Sequence, residues 1–145
     1  MIRTDIICVG RLKEKYWEAA VAEYEKRLHK PWDISWNFLE EEKLDKFLAD
    51  WPFSGRDFVI VCDERGVNLS SPEFSSKLSG AFASSRNVVI LIGGAYGFSE
   101  TVRERADLVW SFSRLVFPHR LCRVMVAEQI YRASQIASGG PYHHE

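Results

Sequence analysis

The chain has 145 residues, enough for one domain with a real core and too few for two. Its make-up, 46% hydrophobic, 13% aromatic and 27% charged, excludes disordered and fibrous classes, and no segment approaches the apolar length of a membrane span. The formal net charge of -1 does not advertise a nucleic-acid binder.

Charge distribution says more than the sum. Residues 1–30 carry seven Lys/Arg against five Asp/Glu, residues 31–80 five against ten, and residues 81–145 seven against five. The acids gather in the middle, and the final stretch holds Arg114, His119, Arg120, Arg123, Arg132, His143 and His144. The cysteines Cys8, Cys62 and Cys122 lie far apart among aliphatic neighbours and read as buried thiols, with no CxxC pair. The four histidines lack zinc-ligand spacing, so no metal is implied.

In chain order, "DIICVG" (Asp5 to Gly10) is β-branched and apolar, the pattern of a first strand buried on both faces. It reads as a strand and not an export signal, which points to a cytoplasmic protein. Tyr16, Trp17, Ala20, Val21, Tyr24 and Leu28 form one stripe of a helix closed by Pro31. "DISWNF" (Asp33 to Phe38) alternates, the period of a strand with one solvated face, nearer the sheet edge. Glu40 to Trp51 is a short amphipathic helix with acids toward its start, ended by Pro52.

"DFVIVCDERG" (Asp57 to Gly66) is a third strand that breaks into charge and a glycine. Ser70, Pro72 and Glu73 form a capping signature for a helix reaching about Phe82. Asn87 to Ile92 is the next strand, and "GGAYG" follows it before Ser99 caps a helix running through Ala106. Leu108 to Ser113 is the last strand, "RLVFPH" its loop, and Leu121 to Ser138 the final helix, bounded by Gly139 and Gly140. Strands alternating with crossover helices predict the α/β class, a mostly parallel sheet with helices on both faces.

Ligands in open α/β sheets bind beyond the carboxyl ends of the strands, so "CDERG", "GGAYG" and "FSRLVFPH" should line one pocket. The spacing G-G-x-x-G is not G-x-G-x-x-G, and no Walker lysine follows, which favours a ligand without phosphate anchors. Leu115 and Phe117 could sandwich a flat heterocycle.

At this point "VGRLKEKYWEAAVAEYEKRL", "LIGGAYG" and "SFSRLVFPHRLCRVMVAEQIYRASQIASGGPYHHE" together resemble the RlmH family, the SPOUT-superfamily methyltransferases of the bacterial large ribosomal subunit. The resemblance covers essentially the whole chain, 1–145, as a single methyltransferase domain. It implies an α/β fold with a deep C-terminal trefoil knot, a homodimer, and S-adenosylmethionine as donor. The implied activity is methylation of N3 of a pseudouridine in 23S rRNA at the subunit interface of assembled ribosomes. Carried over by position, the cofactor contacts fall on Cys62, Gly94, Phe112, Ser113, Arg114, Leu115, Val116 and Phe117. Cys62 stands where relatives often have leucine.

Gly94 is expected to let the backbone approach the cofactor where a β-carbon would collide. Tyr142 and His143 in the "GGPYHHE" tail, pictured folding over the pocket, are the catalytic candidates: both to position the base, His143 also as a possible proton acceptor. Arg114, Arg123 and His144 are the candidate RNA contacts, His144 standing where the family usually has Arg or Lys. The final helix is apolar around much of its circumference, a pattern met by burial in the core of one subunit or at a subunit interface, and Glu128 and Arg132 lie one turn apart on it, placed to pair. Two alternatives remain: a SPOUT enzyme acting on another RNA such as tRNA, and a non-catalytic module binding a nucleotide or partner.

Overall fold

A computed structural model of the chain describes residues 2–10, 14–51, 55–94 and 97–144. The elements follow in the order β1 (Thr4–Val9), α1 (Lys15–Glu25), β2 (Ile34–Leu39), α2 (Leu44–Asp50), β3 (Asp57–Asn68), α3 (Ser71–Ala83), β4 (Asn87–Ile92), α4 (Glu100–Glu104), β5 (Leu108–Ser111) and α5 (His119–Ser138). The five strands form one sheet in the order β2-β1-β4-β3-β5, and every pairing is parallel.

Alternating side chains give the sheet two apolar faces. Ile6, Cys8, Ile60, Val88, Ile90 and Ile92 pack with Phe74 and Leu78 of α3 and with Val126, Ile130 and Ala133 of α5. Ile7, Val9, Val59, Val61, Val89 and Leu91 pack with Leu44 and Leu48 of α2 and with Phe98. Each such aliphatic side chain, taken wholly out of water, contributes roughly 1.5–3 kcal/mol, so the two layers fix which strands are central. β2 is an edge, as its half-polar alternation predicts.

Local signals act as read. The Ser70 side chain accepts from the Glu73 amide while the Glu73 carboxylate takes the Ser70 amide, a complete capping box. Ser99 likewise accepts from the Val102 amide. Gly139, at φ 74, ends α5 in the left-handed conformation that glycine adopts without strain.

Several boundaries differ from the sequence reading. α5 starts at His119, because Pro118 already supplies the helix entry. α4 stops at Glu104, and the Glu40 to Trp51 segment divides into a 3-10 turn, Glu41–Lys43, and α2. The stop assigned to Pro52 lies outside the described residues, as do Ala95 and Tyr96 of "GGAYG". β5 ends at Ser111, and β3 runs on to Asn68, past Gly66. That extension has a register cause: Trp110 of β5 pairs with both Cys62 and Val67, so residues 63–66 bulge out of the ladder.

Candidate active site

The three loops at the carboxyl ends of β3, β4 and β5 do converge. They enclose a cavity of about 350 Å³, lined by Cys62 to Arg65 from the first, by Ile92, Gly93, Gly94 and Gly97 from the second, and by Trp110, Phe112, Ser113 and Leu115 to His119 from the third. Cys122 of α5 completes the wall. The three strands are adjacent, β4-β3-β5, so their ends deliver the loops to one mouth.

Each loop is shaped by its own chemistry. The bulge in β3 turns at Gly66, whose backbone lies so close to β5 that a β-carbon there would sit 2.3 Å from the Val109 carbonyl oxygen. After β4, the Gly97 amide donates to the Gly94 carbonyl, with Gly97 at φ 65. After β5, the Ser111 hydroxyl donates to the Ser113 carbonyl and the Ser113 hydroxyl accepts from the Leu115 amide. These bonds hold a loop whose tip is apolar and in water: Leu115 is 69% exposed and Val116 74%. Large aliphatic side chains left in water at a cavity mouth are what an apolar ligand surface or a partner would cover.

Of the eight expected cofactor contacts, Cys62, Gly94, Phe112, Ser113, Leu115, Val116 and Phe117 line the cavity. Arg114 does not; it is exposed to solvent. The reason given for Gly94 is corrected in one respect. A β-carbon there would meet Val9 Cγ1 at 3.1 Å and Glu41 Oε2 at 3.0 Å, on the β1 side, so those side chains must give way by a few tenths of an ångström to admit one, and with glycine the cavity meets bare backbone. Asp63, Glu64, Arg65 and His119 line it as members of the loops "CDERG" and "FSRLVFPH", without having been singled out, while Cys122 of α5 lies outside the loops that the sequence named.

The thiols and the imidazole in this wall are kept neutral. Burial pushes the Cys62 and Cys122 thiols up, and burial together with Arg123 and Arg120 pulls the His119 imidazole below its ordinary value. Burial alone would raise the Asp63 carboxyl, but its hydrogen bonds from Arg65 and the charges of Arg65 and Arg103 hold it below the usual carboxylate value. Among the described residues no group of three or more His, Cys, Asp or Glu is arranged to hold a metal ion, and no helix is long and apolar enough to cross a membrane.

The tail is placed differently from expectation. None of residues 142–144 lines the cavity. Instead Tyr142 donates to Glu128 Oε2 at 2.8 Å, and Arg132 donates to the same carboxylate at 2.8 Å, the pairing that the one-turn spacing predicts. Arg132 Nη1 lies 3.0 Å from His143 Nδ1, and its guanidinium stacks over the Tyr142 ring at 4.8 Å. Tyr131 meets Tyr142 edge to face at 4.7 Å. The tail is thus laid against α5 of its own chain, where the half-buried Glu128 carboxylate and Arg132 take its polar groups. His144 is exposed.

Arg123 is the clearest correction among the RNA contacts. It is 0% exposed, donates to the Val9 carbonyl and lies over the Phe38 ring at 5.8 Å. A guanidinium enclosed between α5 and the end of β1 has no surface to offer RNA.

The chain belongs to the SPOUT methyltransferase family: the family described as "Predicted SPOUT methyltransferase" matches residues 2–143. Among individual relatives, "Ribosomal RNA large subunit methyltransferase H" of Caldicellulosiruptor bescii is 41% identical over 150 residues, covering 95% of this chain and 97% of that one. The protein of the same name from Desulfitobacterium hafniense (strain Y51) is 36% identical over 159 residues, covering 99% of each. Of solved structures, a probable methylase family protein from Haemophilus influenzae Rd KW20 superposes with a TM-score of 0.57 at 9% identity, over 95% of this chain and 67% of that one. The SpoU methyltransferase AviRb from Streptomyces viridochromogenes does so with a TM-score of 0.52 at 11% identity, over 95% and 61%. At those identities the two structures speak to the fold alone.

Proposed function

We propose that this protein transfers a methyl group from S-adenosylmethionine to N3 of a pseudouridine in 23S rRNA, with the three-loop cavity as the donor site. The observation that carries this reading is the convergence of the three expected loops on one cavity in a chain of the SPOUT methyltransferase family. The lining fits such a donor. It has bare backbone at Gly93 and Gly94, the small Cys62, and an apolar tip at Leu115 to Phe117, and among the described residues its one guanidinium, Arg65, is bonded to Asp63 and not gathered with others to demand phosphates. The volume, about 350 Å³, lies in the range of small-molecule sites.

When bound, the donor supplies an electrophilic methyl group, and the protein's task is to orient the base and help its N3 proton leave. Tyr142 is suited to positioning: burial and the Glu128 carboxylate push its phenol to about 12, so it stays a hydrogen-bond donor. For His143 the contact with Arg132 supports one of the two roles. A guanidinium has only donors, so His143 Nδ1 accepts from Arg132 and, in the neutral ring, Nε2 carries the proton. With Nδ1 engaged by Arg132, this reading assigns His143 to positioning the base, and the role of proton acceptor stays as its alternative. Arg114 and His144, both exposed, are the RNA contacts of this reading.

The reading includes a homodimer. A groove of about 330 Å³ beside α5, lined by Tyr24, Leu69, Val124, Met125 and Glu128, shares Trp110 and Phe112 with the donor cavity. In this reading a second copy occupies that groove. The trefoil knot, a single domain over 1–145, action on the assembled ribosome and a cytoplasmic location complete the proposal, supported by the family match over nearly the whole chain.

The test is to incubate the protein with tritium-labelled donor and, separately, ribosomes, free 23S rRNA and tRNA, then map the product by mass spectrometry. Methyl-pseudouridine in ribosomal particles is the expected result. Label in tRNA alone, or donor binding with no transfer to any RNA, refutes it.

A further inference from the structure

We infer that Asp63 and Arg103 form a charge clasp that sets the shape of the donor cavity by tying the β3 bulge to the loop after β4. This rests on the reading of the cavity as the donor site.

The bulge at residues 63–66 has left the β5 ladder, so its position needs another anchor. Asp63 provides one. Its side chain is only 6% exposed although it belongs to the cavity wall, and it points toward neighbouring cations. Within the bulge, its carboxylate accepts from the Arg65 amide at 2.8 Å, from Arg65 Nε at 3.0 Å and from Arg65 Nη2 at 3.1 Å. Across the cavity rim, Asp63 Oδ2 faces Arg103 Nη1 of α4 at 3.8 Å. The same Arg103 Nη1 donates to the Phe98 carbonyl at 2.7 Å.

Phe98 in turn fixes the glycine loop. Its ring is buried with Val61, Val89 and Leu91, and a β-carbon on Gly93 would lie 3.2 Å from it, so Gly93 and Gly94 take their positions from where Phe98 sits. A connected path therefore runs from Asp63 through Arg103 and Phe98 to the backbone at Gly94. The charges reinforce it. Arg103 is 19% exposed and Asp63 6%, so water screens the pair less than it would a surface pair. Asp63 and Arg103 are positioning residues here, acting through the loops they hold.

The test is a double-mutant cycle on S-adenosylhomocysteine binding, measured by calorimetry for wild type, Asp63→Asn, Arg103→Met and the double variant. Each single variant should bind about tenfold more weakly, and the double variant no worse than either, since both changes break one path. In steady state the donor KM should rise while kcat at saturating donor stays within about twofold, the mark of lost ground-state binding. Arg103→Lys, which keeps a donor for Phe98, should recover part of the affinity. Folding is checked by thermal melts, and Arg103→Gln, which removes the charge, stands in if Arg103→Met does not fold. Additive losses in the cycle, or unchanged affinity in folded single variants, overturn the clasp. A wild-type protein that binds no S-adenosylhomocysteine fails the donor-site reading instead.

Discussion

Gly66→Ala tests whether the cavity wall depends on a backbone approach that no side chain permits. A β-carbon at that position would lie 2.3 Å from the Val109 carbonyl oxygen, 2.5 Å from its carbon and 2.8 Å from the Trp110 nitrogen. All three atoms are main chain of β5, so no rotamer relieves the clash. Real β-carbons essentially never come within 3.0 Å of such atoms, so β3 and β5 must part by at least 0.7 Å, the difference between 3.0 and 2.3. That separation falls where Val67 and Asn68 rejoin β5. Overpacking costs roughly 1–3 kcal/mol and each weakened ladder bond about 1 kcal/mol, giving about 3 kcal/mol in all. For a chain of this size the melting temperature should fall by roughly 6–12 °C. Thermal melts by circular dichroism measure this, with Gly80→Ala as control. Gly80 lies inside α3 with nothing within 4 Å of its added carbon, so alanine there should stabilise by about 0.5–1 kcal/mol. A Gly66→Ala protein melting within about 2 °C of wild type would refute the reasoning.

Gly94→Val should fold but bind S-adenosylhomocysteine at least tenfold more weakly, because pressure on Val9 and Glu41 displaces the backbone that faces the cavity; equal affinity by calorimetry counts against it. Tyr142→Phe removes the bond to Glu128, and since bonds to charged groups are worth roughly 1.5–3 kcal/mol, methylation should slow several-fold while donor affinity stays unchanged. The raised Tyr142 pKa gives a sign for alkaline pH: its contribution to stability is complete below 10, the ordinary value, and is lost as pH climbs through about 12, which wild-type and Tyr142→Phe denaturation curves would resolve. Arg123→Met should leave RNA affinity unchanged, since the guanidinium is enclosed; a selective loss of RNA binding in a folded variant would return Arg123 to the surface.

Some of this molecule is written locally. The apolar runs at Asp5–Gly10 and Asn87–Ile92, the half-polar alternation at Asp33–Phe38 and the Ser70–Glu73 box are decided by residues within a few positions of each other, and local chemistry suffices to predict the strands, the helix starts and the α/β class. The three unusual strand ends were legible for the same reason, and with them most of the cavity wall. What depends on partners distant in sequence was not legible. Gly66 looks like any turn glycine until β5 lies against it, and Asp63 and Arg103 are forty residues apart in a chain that gives no sign they meet. Arg123 carries the same charge as Arg114 in the same basic stretch, yet one is enclosed beside β1 and the other is in water. The sequence pictures the tail folding over the pocket, but the Glu128 carboxylate and Arg132, brought to one helix face, draw Tyr142 and His143 onto α5. Short-range propensity and periodicity set the elements; burial and charge pairing, which exist only once the chain has packed, decided which side chains reach the cavity and which close its walls.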